Sequence, residues 1–239
     1  MSMTSLSQFD GKLLDGLEFC SKVYKLFEEI RNSDGGITRF RISKRTVSNE
    51  SSVEKKLHEE LYPICRYVQA SYRLGRYISV RWVDGYQSYD AELEQHGEGI
   101  TQNIYPKKSY LEVTCAMHKN EYLAREILET KGEYSSADDL RRLKNGEIES
   151  NAVSYTNNDF IDKDSTLVLD RISKKAKNKH YPENTTLIIP CYLRILYLSN
   201  EWDTFINKVK DSLPVNQFKE IYIYDSVCLY SKILYPNRE

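Results

Sequence analysis

The chain has 239 residues, with 34 Lys+Arg against 35 Asp+Glu and a formal net charge of −1, which excludes a polybasic binder working by bulk charge. Hydrophobic residues at 40% with only 10 Gly and 6 Pro can fill a sizeable core and exclude a broadly disordered chain. No stretch approaches the roughly 20 consecutive apolar residues of a membrane helix.

Met1 to Asp10 lacks the basic and apolar regions of a signal peptide, so the mature chain is expected to start there. The five cysteines (Cys20, Cys65, Cys115, Cys191, Cys228) are scattered and odd in number, and the four histidines (His58, His96, His118, His180) are dispersed. This spacing predicts reduced core thiols in a cytoplasmic protein and no structural zinc. The 19 tyrosines predict half-buried packing with the hydroxyl toward water.

From Gly11 to Ile30, Leu13, Leu17, Cys20, Tyr24 and Phe27 recur at helical spacing, and Leu14, Val23, Leu26 and Ile30 widen the stripe. Turn chemistry follows at Asn32 to Gly36, then a short strand over Ile37 to Ile42. Ser51 with Glu54 reads as a capping box opening a second helix over Ser52 to Ala70, in which Val53, Leu57, Leu61, Ile64 and Val68 share a face. Pro63 falls inside it and predicts a kink or an early stop, because it removes a donor and crowds the preceding turn.

The period then changes from helical to alternating. Ile78, Val80 and Trp82, an Asp84-Gly85 turn, and Tyr89, Ala91 and Leu93 read as a β-hairpin. After a polar stretch from Gln95 to Lys108, Leu111, Val113 and Cys115 alternate as a third strand, followed by a helix over His118 to Thr130. Gly132 to Asp159 is a polar insertion with one short helix begun by Ser136 and closed near Asn145-Gly146. Val168, Leu169, Ile172 and Ala176 mark a helix over Asp162 to Lys179, and Thr186 to Leu193 reads as a buried strand despite Pro190. Trp202, Phe205, Ile206, Val209 and Leu213 give a further helix, and Glu220 to Ser231 a final strand. With no internal repeat, one α/β or α+β domain over 1–239 is expected. It divides into an N-terminal extension (1–51), a core (52–193) holding the insertion (132–160), and a C-terminal helix and strand (194–239).

Strand periodicity places Asp90 opposite the apolar face of Tyr89, Ala91 and Leu93, and puts Glu112 and Thr114 opposite Leu111, Val113 and Cys115. If those strands are neighbours, Asp90 and Glu112 can hold a hard divalent cation such as Mg²⁺ or Mn²⁺. Such an ion activates water and stabilises charge on a phosphate. The alternative is two solvated acids on the polar face of an antiparallel sheet.

The segments Tyr89-Asp90-Ala91-Glu92-Leu93 and Tyr110-Leu111-Glu112-Val113-Thr114, in this order of parts, resemble the PD-(D/E)XK, or restriction-endonuclease-like, nuclease superfamily. The correspondence covers roughly Ser52 to Leu193. It implies an α/β fold with a mixed central β-sheet flanked by helices, Asp90 and Glu112 as metal ligands, Mg²⁺ or Mn²⁺ as cofactor, and DNA as substrate. The chain departs from the pattern at Thr114, where the family carries its catalytic lysine, and Thr brings no charge to the transition state. On a helical plot Lys175 falls beside Val168 and Ile172 and is the first substitute, against a reading as a snorkelling side chain. Glu60, at the edge of the Leu57–Leu61–Ile64 face, is the further acid that several members of the superfamily carry on the preceding helix; it can equally be a boundary residue paired with a cation. Glu59 points the other way. His118 opens the next helix and can touch phosphate or water or act as a cap.

Phosphate contacts would come from Lys107, Lys108, Lys119 and Lys179, together with Arg141, Arg142, Lys144 and the basic run from Arg171. Three readings follow: a metal-dependent DNA nuclease; a catalytically inactive module of the same fold that binds nucleic acid or protein; and an adaptor or inhibitor that uses tyrosine-rich surfaces on a protein partner. Oligomeric state is left open by the sequence.

Overall fold

The computed structural model describes residues 6–32, 49–133, 137–151, 153–178, 180–193, 198–226 and 230–236. The elements in chain order are β1 (Leu13–Asp15), α1 (Gly16–Asn32), α2 (Asn49–Lys56), α3 (Tyr62–Ser71), β2 (Tyr77–Trp82), β3 (Ala91–His96), α4 (Glu98–Thr101) and β4 (Lys108–Val113). They continue with α5 (Glu121–Lys131), β5 (Leu140–Arg142), β6 (Ile148–Ser150), α6 (Asn157–Ala176), β7 (Thr185–Cys191), α7 (Ser199–Asp211), β8 (Glu220–Asp225) and β9 (Ser231–Leu234). Seven strands form one mixed sheet in the order β1-β2-β3-β4-β7-β8-β9, and β5 and β6 form a separate pair. The first four strands meander antiparallel, β4–β7 and β7–β8 are parallel, and β9 returns antiparallel. This is an α/β fold with a mixed central sheet flanked by helices.

Side chains alternate across the sheet, so Ile188 joins one core while Leu187 and Ile189 join the other. On the first face Leu57, Leu61, Ile64 and Val68 pack with Val80, Trp82, Leu93 and Leu111. On the second, Val168 and Ile172 of α6 and Phe205 and Val209 of α7 pack with Leu187, Ile189, Ile221 and Ile223. All seven residues of β7 are buried, as expected of a central parallel strand covered on both sides. Pro190 is tolerated next to the last residue of β7, where its carbonyl still accepts the Ala116 N–H at 3.1 Å. No described helix is long and apolar enough to cross a membrane. Among the described residues Cys20, Cys65, Cys115 and Cys191 form no disulfide.

Several sequence expectations need correction. Leu13–Asp15 is an edge strand rather than the start of the first helix, because Gly16 lets the chain pass close to β2 before turning into α1. Pro63 does not stop its helix. Between α2 and α3, Leu57–Leu61 forms a π-turn in which the Tyr62 N–H bonds to the Leu57 carbonyl, absorbing the proline at the first positions of α3. Asp84-Gly85 does not make a tight hairpin: residues 83–90 form a wide loop, braced by the Gln87 side-chain amide donating to the Val83 and Tyr89 carbonyls, each at 2.8 Å. The third strand runs Lys108–Val113, earlier than expected. The insertion carries the β5–β6 hairpin instead of a helix closed at Asn145-Gly146. Gly146, at φ +91°, supplies the left-handed turn, and Leu140 packs on Ala124 and Ile127 of α5. α6 starts earlier, at Asn157, capped by Thr156 and Asp159 exchanging backbone hydrogen bonds. The final β segment is two paired strands, β8 and β9. The strand expected over 37–42, the Ser136 helix start, Cys228 and Lys179 lie outside the described residues.

A Cβ on Gly16 would lie 2.7 Å from the Ile78 carbonyl oxygen and 2.9 Å from Val68 Cγ1, so backbone as well as side chain opposes it. Gly16→Ala is expected to cost about 1–3 kcal/mol, read as a lower urea midpoint at unchanged slope. An unchanged midpoint would show that α1 and β2 do not approach this closely.

Candidate functional site

β3 and β4 pair with Ala91 opposite Leu111 and Glu92 opposite Tyr110, so the same register carried one residue further sets Asp90 opposite Glu112. Asp90 stands just before β3, but its N–H still donates to the Leu111 carbonyl at 2.8 Å and continues the ladder. Its Oδ2 accepts the Val113 N–H at 2.7 Å, which fixes the carboxyl against β4. Beyond this point β4 continues into the segment that pairs with β7: the Thr114 N–H donates to the Ile188 carbonyl at 2.9 Å. The two strands therefore part where the acids stand, and a cavity of about 420 Å³ opens there, lined by Glu60, Asp90, Glu112, Thr114, Arg171 and Lys175 among others.

Each side chain reaches the cavity by a different route. Glu112 is only 7% exposed, which removes the reading of two solvated acids for this residue. Its Oε1 is paired with the Lys175 ammonium from α6 and accepts the Tyr181 hydroxyl at 3.4 Å. Glu60 belongs to the π-turn. One of its oxygens takes the Lys56 ammonium at 2.9 Å and the other the Trp82 indole N–H at 3.0 Å. The expected alternative for Glu60, pairing with a cation, is thus present together with a place at the cavity wall. Arg171, four residues before Lys175 on α6, donates to the Met117 carbonyl at 3.1 Å.

Burial is the first cause lifting the Asp90 carboxyl, followed by the charges of Glu112 and Glu60; the Val113 N–H and Lys175 oppose it, and the result is a pKa pushed up from 3.8 to about 7. Burial likewise raises Glu112, against the opposing Lys175 and Tyr181 contacts. Two carboxyls that neighbour one another in a low-dielectric recess favour a proton or a cation between them.

Among the described residues no group of three or more His, Cys, Asp and Glu is gathered closely enough to hold a metal ion. An oxygen-only pair still suits Mg²⁺, which is commonly held through one or two carboxylates and keeps several waters. Asp90 and Glu112 fit that chemistry.

The structure thus brings together Glu60, Asp90, Glu112, Thr114 and Lys175. It does not bring Lys107 or Lys108 to them. Both lie at the opposite end of β4, roughly 13–17 Å from Glu112 at 3.3 Å per residue, and Lys108 is paired with Glu92 at 3.2 Å beside the Tyr110 ring. Lys119 is exposed on the connection into α5. His118 precedes α5 instead of starting it, and its Nε2 faces Asp138 Oδ1 at 3.3 Å; burial lowers its pKa. Arg171 and Tyr181 were missed as members of the site. The i, i+4 spacing of Arg171 and Lys175 could have revealed the first; no local signal marks Tyr181.

A scan against protein-family models, a search of curated proteins and a search of solved structures found no match to this chain.

Because the folded pKa of Asp90 is raised, the folded chain binds more protons than the unfolded one between about pH 4 and pH 7, and its stability falls as pH rises through that window. With metal chelated, Asp90→Asn is expected to match the parent near pH 4 and to exceed it by about 2–4 kcal/mol at pH 8. Urea unfolding at the two pH values checks this. A variant equally or less stable at pH 8 would mean that Asp90 carries no such penalty.

Proposed function

We propose that the chain is a metal-dependent phosphodiesterase acting on DNA, with a site of the restriction-endonuclease-like kind. The observation that carries this reading is the convergence of Asp90, Glu112, Glu60 and Lys175 on one cavity where β3 and β4 part. The order of parts supports it: a helix, three antiparallel strands, a crossover through α5 and α6, and β7 parallel to β4.

In this reading Asp90 and Glu112 hold Mg²⁺ or Mn²⁺. When bound, the ion supplies positive charge to the phosphate and a nucleophilic water at neutral pH. Lys175 takes the place that Thr114 leaves without charge: its ammonium, beside Glu112, counters the negative charge that builds on the phosphate in the transition state. Arg171 adds a second cation on the same wall, and Glu60, fixed by Lys56 and Trp82, holds the rim without moving into the strand gap. Water is the nucleophile, and Thr114 offers it a hydroxyl to hydrogen-bond.

The second reading, an inactive module of this architecture that binds nucleic acid or protein, is favoured by the Glu112–Lys175 pair, which already neutralises one of the two acids.

The test is cleavage of duplex and single-stranded DNA by the full chain with Mg²⁺ or Mn²⁺. Cleavage is expected to stop with chelator, to fall by at least about 10³-fold in Asp90→Ala and Glu112→Ala, and by about 10²–10³-fold in Lys175→Met. Cleavage indifferent to metal and to these substitutions would refute the assignment. DNA bound without any cleavage would select the inactive module.

A further inference from the structure

Hydrogen bonds divide the carboxylate oxygens of the site unequally. Glu60 commits both of its oxygens, one to the Lys56 ammonium at 2.9 Å and one to the Trp82 indole N–H at 3.0 Å. Asp90 commits Oδ2 to the Val113 N–H at 2.7 Å. Glu112 commits Oε1 twice, to the Lys175 ammonium and to the Tyr181 hydroxyl at 3.4 Å. Among the described residues, Asp90 Oδ1 and Glu112 Oε2 have no hydrogen-bond partner. The two facing acids therefore each present one oxygen and hold back the other.

The groups that hold the second oxygens differ in how far they can yield. The Val113 N–H belongs to the backbone of β4 and cannot swing away. Lys175 reaches Glu112 on a flexible four-carbon stem, which can give way by rotation. Tyr181 is fixed from two directions. Its ring packs on the buried Phe218 with centroids 5.1 Å apart, and the carbonyl of the preceding His180 accepts the Ser88 hydroxyl at 2.9 Å. Its hydroxyl thus stays at Oε1 whatever the lysine does.

We propose, resting on the metal-dependent reading above, that Tyr181 is a positioning residue which holds Glu112 to single-oxygen ligation and so makes the site favour Mg²⁺ or Mn²⁺ over Ca²⁺. A small octahedral ion is commonly held by one or two carboxylates and keeps several waters, so one oxygen from each of Asp90 and Glu112 meets its demand. Calcium gathers about six to eight oxygens at roughly 2.3–2.6 Å and often draws on both oxygens of a carboxylate. Taking both oxygens of Glu112 requires the Tyr181 hydrogen bond to break, and taking both of Asp90 strips the Val113 N–H of its acceptor. An ion satisfied by one oxygen from each acid disturbs neither contact. Groups behind the ligands commonly tune a metal site in this way, by fixing which ligand atom is offered.

The experiment follows unbound Mn²⁺ by its electron paramagnetic resonance signal as the full chain, without DNA, is titrated, and then displaces bound Mn²⁺ with Ca²⁺. The parent and Tyr181→Phe are compared, the latter keeping the ring against Phe218 and losing only the hydroxyl; thermal melts establish that both are folded. The parent is expected to bind Ca²⁺ at least about tenfold more weakly than Mn²⁺. In Tyr181→Phe the ratio of the two affinities is expected to narrow by about three- to tenfold, the range of one net hydrogen bond. A merely structural role for Tyr181 would weaken both ions alike and leave the ratio where it was. Equal affinities in the parent, or a ratio that Tyr181→Phe does not move, would overturn the proposal even if cleavage of DNA depends on Asp90 and Glu112. A chain that cleaves nothing yet loses its preference for Mn²⁺ in Tyr181→Phe would remove the hydrolytic reading and leave the cation selection standing.

Discussion

The register of β3 on β4 forces two acidic side chains into one recess, and the chemistry proposed for the molecule follows from that constraint. Asp90 and Glu112 face each other because the ladder continues one residue past the end of β3. They are desolvated because α6 and the π-turn close around the opening between the strands. An isolated buried carboxylate would simply take up a proton. Here Lys175 compensates Glu112, the Val113 N–H partly compensates Asp90, and a divalent cation would satisfy the remaining electrostatic demand under the proposed reading. Because burial raises the Asp90 carboxyl, the recess is expected to cost the fold stability as pH rises to neutral.

The π-turn shows how a backbone irregularity serves that site. A proline within a helix would ordinarily break it, since the missing donor and the ring both disturb the preceding turn. Widening Leu57–Leu61 to the i→i+5 pattern keeps Leu57 and Leu61 in the core and sets Glu60 at the cavity rim, tied to Lys56 on its own helix and to Trp82 on β2. Such bulges are frequent at functional positions. The rim is therefore anchored to both the helix and the sheet.

Alternation and helical periodicity made much of this legible in the sequence. Period two alone places Asp90, and on the next strand Glu112 and Thr114, opposite the apolar residues of their strands, and the angle on α6 selects Lys175 over Lys174 and Lys177; that the two strands are neighbours comes from the structure. Legibility ended where the answer depended on distant partners. Nothing local tells that Tyr181 reaches Glu112, or that Glu92 and Tyr110 hold Lys108 at the far end of its strand. Asn145-Gly146 carried a hairpin signal that was misread as a helix stop because its flanking strands are only three residues long. Leu13 and Leu14 fit a helical stripe as well as an edge strand, and the close passage allowed by Gly16 decided between them.

The central claim is that Asp90 and Glu112 together form a divalent-cation site. Calorimetric titration of the full chain with Mn²⁺ near pH 7, in two buffers of different ionisation enthalpy, addresses it most directly. The account predicts one ion per chain, with a fraction of a proton released as Asp90 ionises, and no binding by Glu112→Gln. Absence of binding at millimolar Mn²⁺, or binding that Glu112→Gln leaves unchanged, would contradict it.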